Sequence, residues 1–189
     1  MKPERRIKGK PNSLQVKVVG DDMQVPVAQL MHSKAIQSWG CIPYAELSAL
    51  LVELRFLYMV HQTHHWIAKG DCYYGDHLLY QRVYEKIGEH IDKVAEKAVG
   101  LGCELNVDLK RQLGLLAKRS VECVGTFPTD NSLPQKSLSL EKHFLELLCE
   151  YKVSLKQQGK LTHGVENLFD QIADDHEEFV YLFKQRCGG

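Results

Sequence analysis

The fold is decided by residues 75–101, which read GDHLLYQRVYEKIGEHIDKVAEKAVGL. Apolar side chains recur there every three or four positions, at Val83, Ile87, Ile91, Val94, Ala98 and Leu101. That spacing predicts one long amphipathic helix that buries a single face.

The same stretch carries a second, polar stripe. On a helical wheel, His77, Gln81, Asp92 and Glu96 lie within about 100° of one another and away from the apolar residues. Imidazole and carboxylate are ligand types that suit iron, manganese and zinc. A charged stripe on a long helix is usually only a solvated face. The stripe by itself is therefore compatible with both a metal site and a solvated surface.

Three further long amphipathic helices are predicted around this one. They span 43–67, 138–157 with Ser137 or Ser139 as the N-cap, and 163–185, and a shorter helix spans 106–121. Residues 124–136 are rich in Gly, Pro, Asp and Asn and predict a loop. The pattern predicts an all-α four-helix bundle with a short extra helix between the second and third long helices.

Histidines also follow the apolar stripe of the first helix. His61 and His65 continue that stripe, and a His there with acids on the second helix would suit a metal site between bundle helices. His61, His64 and His176 are interpreted as structural histidines. No helix carries a Glu-x-x-His pair, which disfavours the dinuclear-carboxylate enzymes of this architecture.

Composition restricts the class of protein further. Lys plus Arg equal Asp plus Glu at 24 each, so a surface built wholly for nucleic acid is disfavoured. No apolar run is long enough to span a membrane, and the six scattered cysteines indicate reduced thiols in the cytoplasm. Six Lys or Arg in the first 17 residues predict a basic, partly disordered arm over 1–28, followed by one domain over 29–189.

The chain resembles the Dps family of the ferritin-like superfamily, the DNA-protection mini-ferritins. The resemblance lies in five elements: His65-Trp66 with Gly70 four residues after the Trp, an aromatic at Tyr73, His77, Asp92-x-x-Ala95-Glu96, and Leu101-Gly102. It extends more weakly over 43–185, where Tyr181 stands at a position usually held by Trp.

The resemblance implies a metal site at a two-fold interface of a dodecamer. His65 and His77 would come from one subunit and Asp92 and Glu96 from its neighbour, with Trp66 beside them. The family usually has Asp where this chain has Gln81. A neutral amide is a weaker ligand for a hard cation, so iron binding should be weaker or shifted towards zinc, unless Glu85 supplies the charge.

The resemblance implies a protein that oxidises Fe(II) with hydrogen peroxide, the oxidant that the family often uses. Ferric iron would be stored in a hollow oligomer, which would protect against oxidative damage. The enzyme class would be a ferroxidase-type oxidoreductase. The alternative is a cage of the same fold with weakened or absent ferroxidase activity, acting as a scaffold or DNA-binding protein. DNA would be bound through the basic arm, which would associate a cytoplasmic protein with the nucleoid.

Overall fold

The computed structural model describes residues 43–124 and 132–188, so the predicted arm and the loop residues 125–131 lie outside the described part. The helices are α1 (Ala45–Ile67), α2 (Tyr73–Gly100), α3 (Leu109–Val124), α4 (Leu133–Gln157) and α5 (His163–Cys187), with one 3-10 turn at Glu104–Asn106. The described ranges contain no strand.

The four long helices form the bundle that the sequence predicts. α1 packs along α2 and α4 packs along α5, while α1 also contacts α4 and α2 contacts α5. The short helix α3 lies on the outside of α1. No helix within the described ranges has the length and apolar character needed to cross a membrane.

Apolar side chains from all four long helices fill the centre. The largest that are fully buried are Tyr80, Phe144, Phe169, Phe179, Phe183, Leu47, Leu50, Leu51, Leu54, Leu57, Ile87 and Leu155. Each side chain of this size contributes about 1.5–3 kcal/mol when it leaves water. Most of the stability of these helices therefore comes from packing rather than from helix propensity.

The start of α4 corrects the sequence prediction. The helix begins at Leu133, and Ser132 is its N-cap in a capping box with Gln135. Pro134 falls in the first turn, where its missing N–H costs no hydrogen bond. Ser137, predicted as a cap, is instead fully buried inside the helix. The prediction was wrong because Pro134 was interpreted as a loop residue.

The short helix also begins later than predicted, at Leu109 rather than at 106. Asn106 ends the 3-10 turn, and its buried side-chain amide donates to the carbonyls of Pro43 and Tyr44 at 3.1 and 3.0 Å. Further along, Arg119 of α3 donates to Glu53 of α1 at 2.7 Å, and both side chains are almost fully buried. These contacts fix α3 to the first long helix.

Two buried histidines make the bundle sensitive to acid. Burial lowers the pKa of His64 and the pKa of His90 to about 4, from an ordinary value of 6.5. Between those values the unfolded chain binds protons that the folded chain does not. The contribution of these neutral histidines to the free energy of unfolding is therefore fully present above pH 6.5, and it is lost as the pH falls towards 4.

We expect the free energy of unfolding to fall by about 2 kcal/mol for each of these histidines between about pH 7 and about pH 5. Urea unfolding at the two pH values measures it, and His64→Gln should reduce the difference. Equal stability at both pH values would contradict the prediction. Glu141 does not add to this difference. Its pKa is lowered from 4.5 to about 2, so its stabilising contribution is fully present above about pH 4.5 and is lost only as the pH falls towards 2.

Candidate metal centre

His65 and His77 meet where α1 ends and α2 begins. Gly70, with φ of +91°, allows the tight turn between the two helices. The imidazole rings are stacked, with centroids 3.7 Å apart and an interplanar angle of 22°. His65 is thus half-buried between α1 and α2, and it does not continue the buried stripe of His61 as the wheel predicted.

The two histidines hold each other through the backbone. Nδ1 of His65 donates to the carbonyl oxygen of His77 at 2.9 Å, and Nδ1 of His77 donates to the carbonyl oxygen of His65 at 3.1 Å. A carbonyl only accepts hydrogen bonds, so each Nδ1 carries a proton, and in a neutral imidazole of this tautomer the lone pair lies on Nε2. Metal-binding histidines are commonly oriented by such a bond from the other ring nitrogen.

Gln81 lies one turn after His77 on the same stripe of α2. Its side-chain amide donates to a carboxylate oxygen of Glu85 at 2.8 Å. The carboxylate that the sequence suggests as a substitute for the missing Asp is therefore held beside position 81. Asp76, in contrast, is buried and paired with Arg186, with a second hydrogen bond of 3.0 Å between them, so it belongs to the packing of α2 against α5.

Asp92 and Glu96 do not join the histidines within one chain. Both are exposed on α2, and Asp92 follows His77 by fifteen helical residues, or about 22 Å along the axis. Within the described ranges, no three His, Cys, Asp or Glu side chains are grouped closely enough to hold a metal ion. A single chain therefore presents two separate halves of the predicted ligand set.

Apolar side chains surround the histidine pair on the surface. Trp66 is 66% exposed, Ile67 51%, Tyr74 73% and Leu78 44%, and we name these four residues the turn patch. Large apolar side chains grouped on a surface commonly mark a protein–protein interface. The turn patch has the composition of such an interface and lies directly beside the histidine pair.

A second polar cluster lies inside the bundle. Nε2 of His61 and Nδ1 of His176 donate to the two carboxylate oxygens of Glu141 at 2.6 and 2.5 Å, and all three side chains are fully buried. His61 and His176 are core histidines, as predicted. Glu141 was not predicted as part of a site, although a Glu on the apolar stripe of α4 between Ser137 and Phe144 was a usable signal.

Comparisons with known proteins agree with this fold. The chain is 30% identical over 135 residues to a nutrient stress-induced DNA-binding protein from Nostoc sp. (strain PCC 7120). The matched residues cover 71% of each protein. The structure is similar to that of Dps from Thermosynechococcus elongatus, with a TM-score of 0.63, 14% identity and coverage of 77% of this chain and 90% of that one.

The structure is also similar to that of DpsC from Streptomyces coelicolor, with a TM-score of 0.63, 18% identity and coverage of 77% and 83%. No family model matches the chain. At such identities the two structures show the ferritin-like bundle, and the Nostoc relative extends the likeness to the sequence. The chain belongs to the Dps family.

Proposed function

We propose that this protein oxidises Fe(II), with hydrogen peroxide as the electron acceptor, and stores the ferric product inside a hollow oligomer. The observation that carries the proposal is the reciprocal hydrogen bonding of His65 and His77. It leaves two half-buried imidazoles with their Nε2 lone pairs free for a metal. Imidazole with carboxylate is a donor set that suits iron.

A second copy of the chain would complete the site. In a two-fold dimer the same surface serves both subunits, so each end of α2 meets the opposite end of its partner helix. Asp92 and Glu96 of one copy would then join His65 and His77 of the other. The separation of these pairs along α2 and the exposed turn patch beside the histidines both support a shared site.

In such a site, the protein would position the iron and stabilise the oxidised product. Two Fe(II) ions lose one electron each and one peroxide takes up both electrons, so no radical is released. The carboxylates of Asp92 and Glu96 favour Fe(III) over Fe(II) because of its higher charge. Hydrolysis of Fe(III) to an oxyhydroxide then releases protons, two for each iron that peroxide oxidises. Zinc would be a substitute ion at the same ligands.

Gln81 supports a second candidate function, a cage of the same fold with weak or no ferroxidase activity. The amide is neutral and one of its hydrogens is engaged by Glu85. A dimer that lacks one carboxylate at each site would bind iron less tightly. The second candidate would act as a scaffold or a DNA-binding protein, and it differs from the first in the oxidation and storage of iron.

DNA is a proposed partner. The Nostoc relative is named as a DNA-binding protein. The first 17 residues of this chain carry six Lys or Arg, and each could neutralise one phosphate. Several arms on one oligomer would add their contributions through avidity. We propose that a cytoplasmic oligomer acts close to the nucleoid, where removal of Fe(II) and peroxide protects DNA.

Complementation between subunits tests the shared site. We expect His65→Ala and Asp92→Ala each to abolish the acceleration of Fe(II) oxidation by peroxide, followed as ferric absorbance. Subunits of the two variants that are unfolded, mixed and reassembled should regain about a quarter of the wild-type sites, because half of the dimers are mixed and each has one intact site.

His143→Ala, on the partly exposed side of α4, is the matched control and should keep full activity. If the mixed variants remain inactive although they assemble, the four ligands do not form a shared site. If the wild-type protein does not accelerate oxidation at all, the first candidate function is excluded.

Restoring a carboxylate at position 81 tests the role of Gln81. We expect Gln81→Asp to bind Fe(II) about tenfold more tightly under anaerobic titration calorimetry, equivalent to about 1.4 kcal/mol. Gln81→Asn is the control that changes length without charge. Unchanged or weaker binding of Gln81→Asp would mean that position 81 does not face the metal.

A charge in the turn patch tests the interface. We expect Trp66→Lys to raise the dissociation constant of the oligomer by about a hundredfold or more, because an unpaired ammonium would be buried between subunits. Light scattering after size-exclusion chromatography measures the mass. Val153→Lys places the same charge at an exposed apolar residue of α4 and should leave the mass unchanged. Equal masses for wild type and Trp66→Lys would exclude this interface.

A further inference from the structure

An apolar groove runs along the outside of the bundle, between α1 and the short helix α3. Its walls include Met59 and Val60 of α1 and Leu113, Leu116 and Ala117 of α3, and it encloses about 500 Å³. Apolar surface grouped in a groove of this kind commonly receives another segment or molecule.

The apolar face of α3 is directed away from the bundle. A surface helix normally buries its apolar stripe, but α3 is fixed to α1 by polar side chains, since Gln112 and Arg119 are buried and hydrogen-bonded to α1. In contrast, Leu109 is 65% exposed, Leu113 55% and Val121 76%. This arrangement indicates that α3 has a second packing partner on its apolar face.

One segment of the chain has the composition to fill the groove. Residues 23–33 read MQVPVAQLMHS and contain no Asp, Glu, Lys or Arg. Five of them are large and apolar: Met23, Val25, Val27, Leu30 and Met31. These residues, which we name the apolar segment, lie outside the described ranges, between the last basic residue of the predicted arm at position 17 and the described structure that begins at 43.

The chain enters the described structure close to both helices of the groove. The carbonyls of Pro43 and Tyr44 accept hydrogen bonds from the side-chain amide of Asn106 at 3.1 and 3.0 Å, just before α3 begins. Along α1, Tyr44 and the first groove residue, Phe56, are about 18 Å apart. Residues 34–43 can span up to about 33 Å when extended. The apolar segment can therefore reach the groove of its own subunit.

Attachment and charge both favour the apolar segment over a separate molecule. A short linker gives an attached segment an effective concentration on the order of millimolar, so a groove of modest size is filled without high affinity. A second copy that met the groove about a two-fold axis would place α3 against α3. Lys110 and Lys118 are exposed on α3, and Glu122 is the only acidic residue in its sequence, so like charges would oppose each other. The apolar segment carries no charge to repel.

We propose that the apolar segment occupies the α1–α3 groove of its own subunit, with its large side chains packed against Met59 and Leu113. The docked segment would cover the apolar face of α3 and fix the point from which the basic residues of the arm extend. The proposal uses neither the candidate metal ligands nor bound DNA, so it stands or fails independently of the proposed iron chemistry.

Photo-crosslinking in the assembled full-length protein tests the occupant. A benzophenone amino acid is placed at position 113, and nitrogen-15-labelled subunits are mixed with unlabelled ones before assembly and irradiation. We expect crosslinks from position 113 to residues 23–33 in which both peptides carry the same isotope. The benzophenone amino acid at position 153, an exposed site on α4, is the matched control and should not capture the apolar segment.

Each other result of this experiment contradicts the proposal. Crosslinked peptides of mixed isotope would mean that a neighbouring copy occupies the groove. Capture of a different region of the same chain, or no capture at all, would mean that the apolar segment does not dock there.

Trypsin gives a second reading on the full chain. Lys34 directly follows the apolar segment, whereas Lys17 lies well before it. Cleavage beside a docked segment requires its release, so the rate follows the population of the undocked state. We expect Leu113→Glu and Val27→Glu each to accelerate cleavage after Lys34 by about tenfold and to leave cleavage after Lys17 unchanged.

Val153→Glu, which adds the same charge at an exposed apolar site of α4, is the control and should leave both rates unchanged. Circular dichroism and oligomer mass establish that the variants fold. Leu113 is exposed and Val27→Glu alters no residue of the bundle, so neither change removes a core contact. Equal cleavage after Lys34 in wild type and in both folded variants would overturn the proposal.

Discussion

The packing of α1 along α2 is the contact on which the other features depend. Burial of their facing apolar stripes sets the two helices antiparallel and close together, and the turn at Gly70 then has to be tight. Only in that arrangement does the last turn of α1 reach the first turn of α2. His65 and His77, twelve residues apart in the chain, stack and exchange hydrogen bonds with each other's backbone.

The same packing separates the two functional regions of α2. Its apolar side holds Tyr80, Val83 and Ile87 in the core, while its polar stripe carries the candidate ligands along the outside. A rigid helix cannot bend its two ends together, so His77 and Asp92 remain about 22 Å apart within one chain. The requirement for a second subunit follows from the length of the helix, and the turn patch beside the histidines offers a surface for it.

Inside the bundle, polar groups are paired rather than excluded. Glu141 is held by two histidines, and their charge and hydrogen bonds outweigh the burial that would otherwise raise its pKa. Glu53 is held by Arg119 and Asp76 by Arg186. Removing one partner from the Glu53–Arg119 pair, in which both side chains are almost fully buried, costs about 3–5 kcal/mol, because the other charge stays buried and uncompensated. These pairs constrain which helices can be neighbours, and each joins two different helices.

By itself, the sequence determined the all-α bundle, the approximate limits of its helices, and the stripe on α2 that holds His77, Gln81, Asp92 and Glu96. Helical periodicity is a local property, and it is visible in single stretches of chain. The start of α4 was misjudged because proline is compatible with both a loop and a first helical turn. Only the tertiary structure decided that His65 leaves the core, that Gln81 bonds to Glu85, and that Glu141 lies between His61 and His176. Those contacts join residues from different helices or depend on rotamers, and no pattern within one helix specifies them.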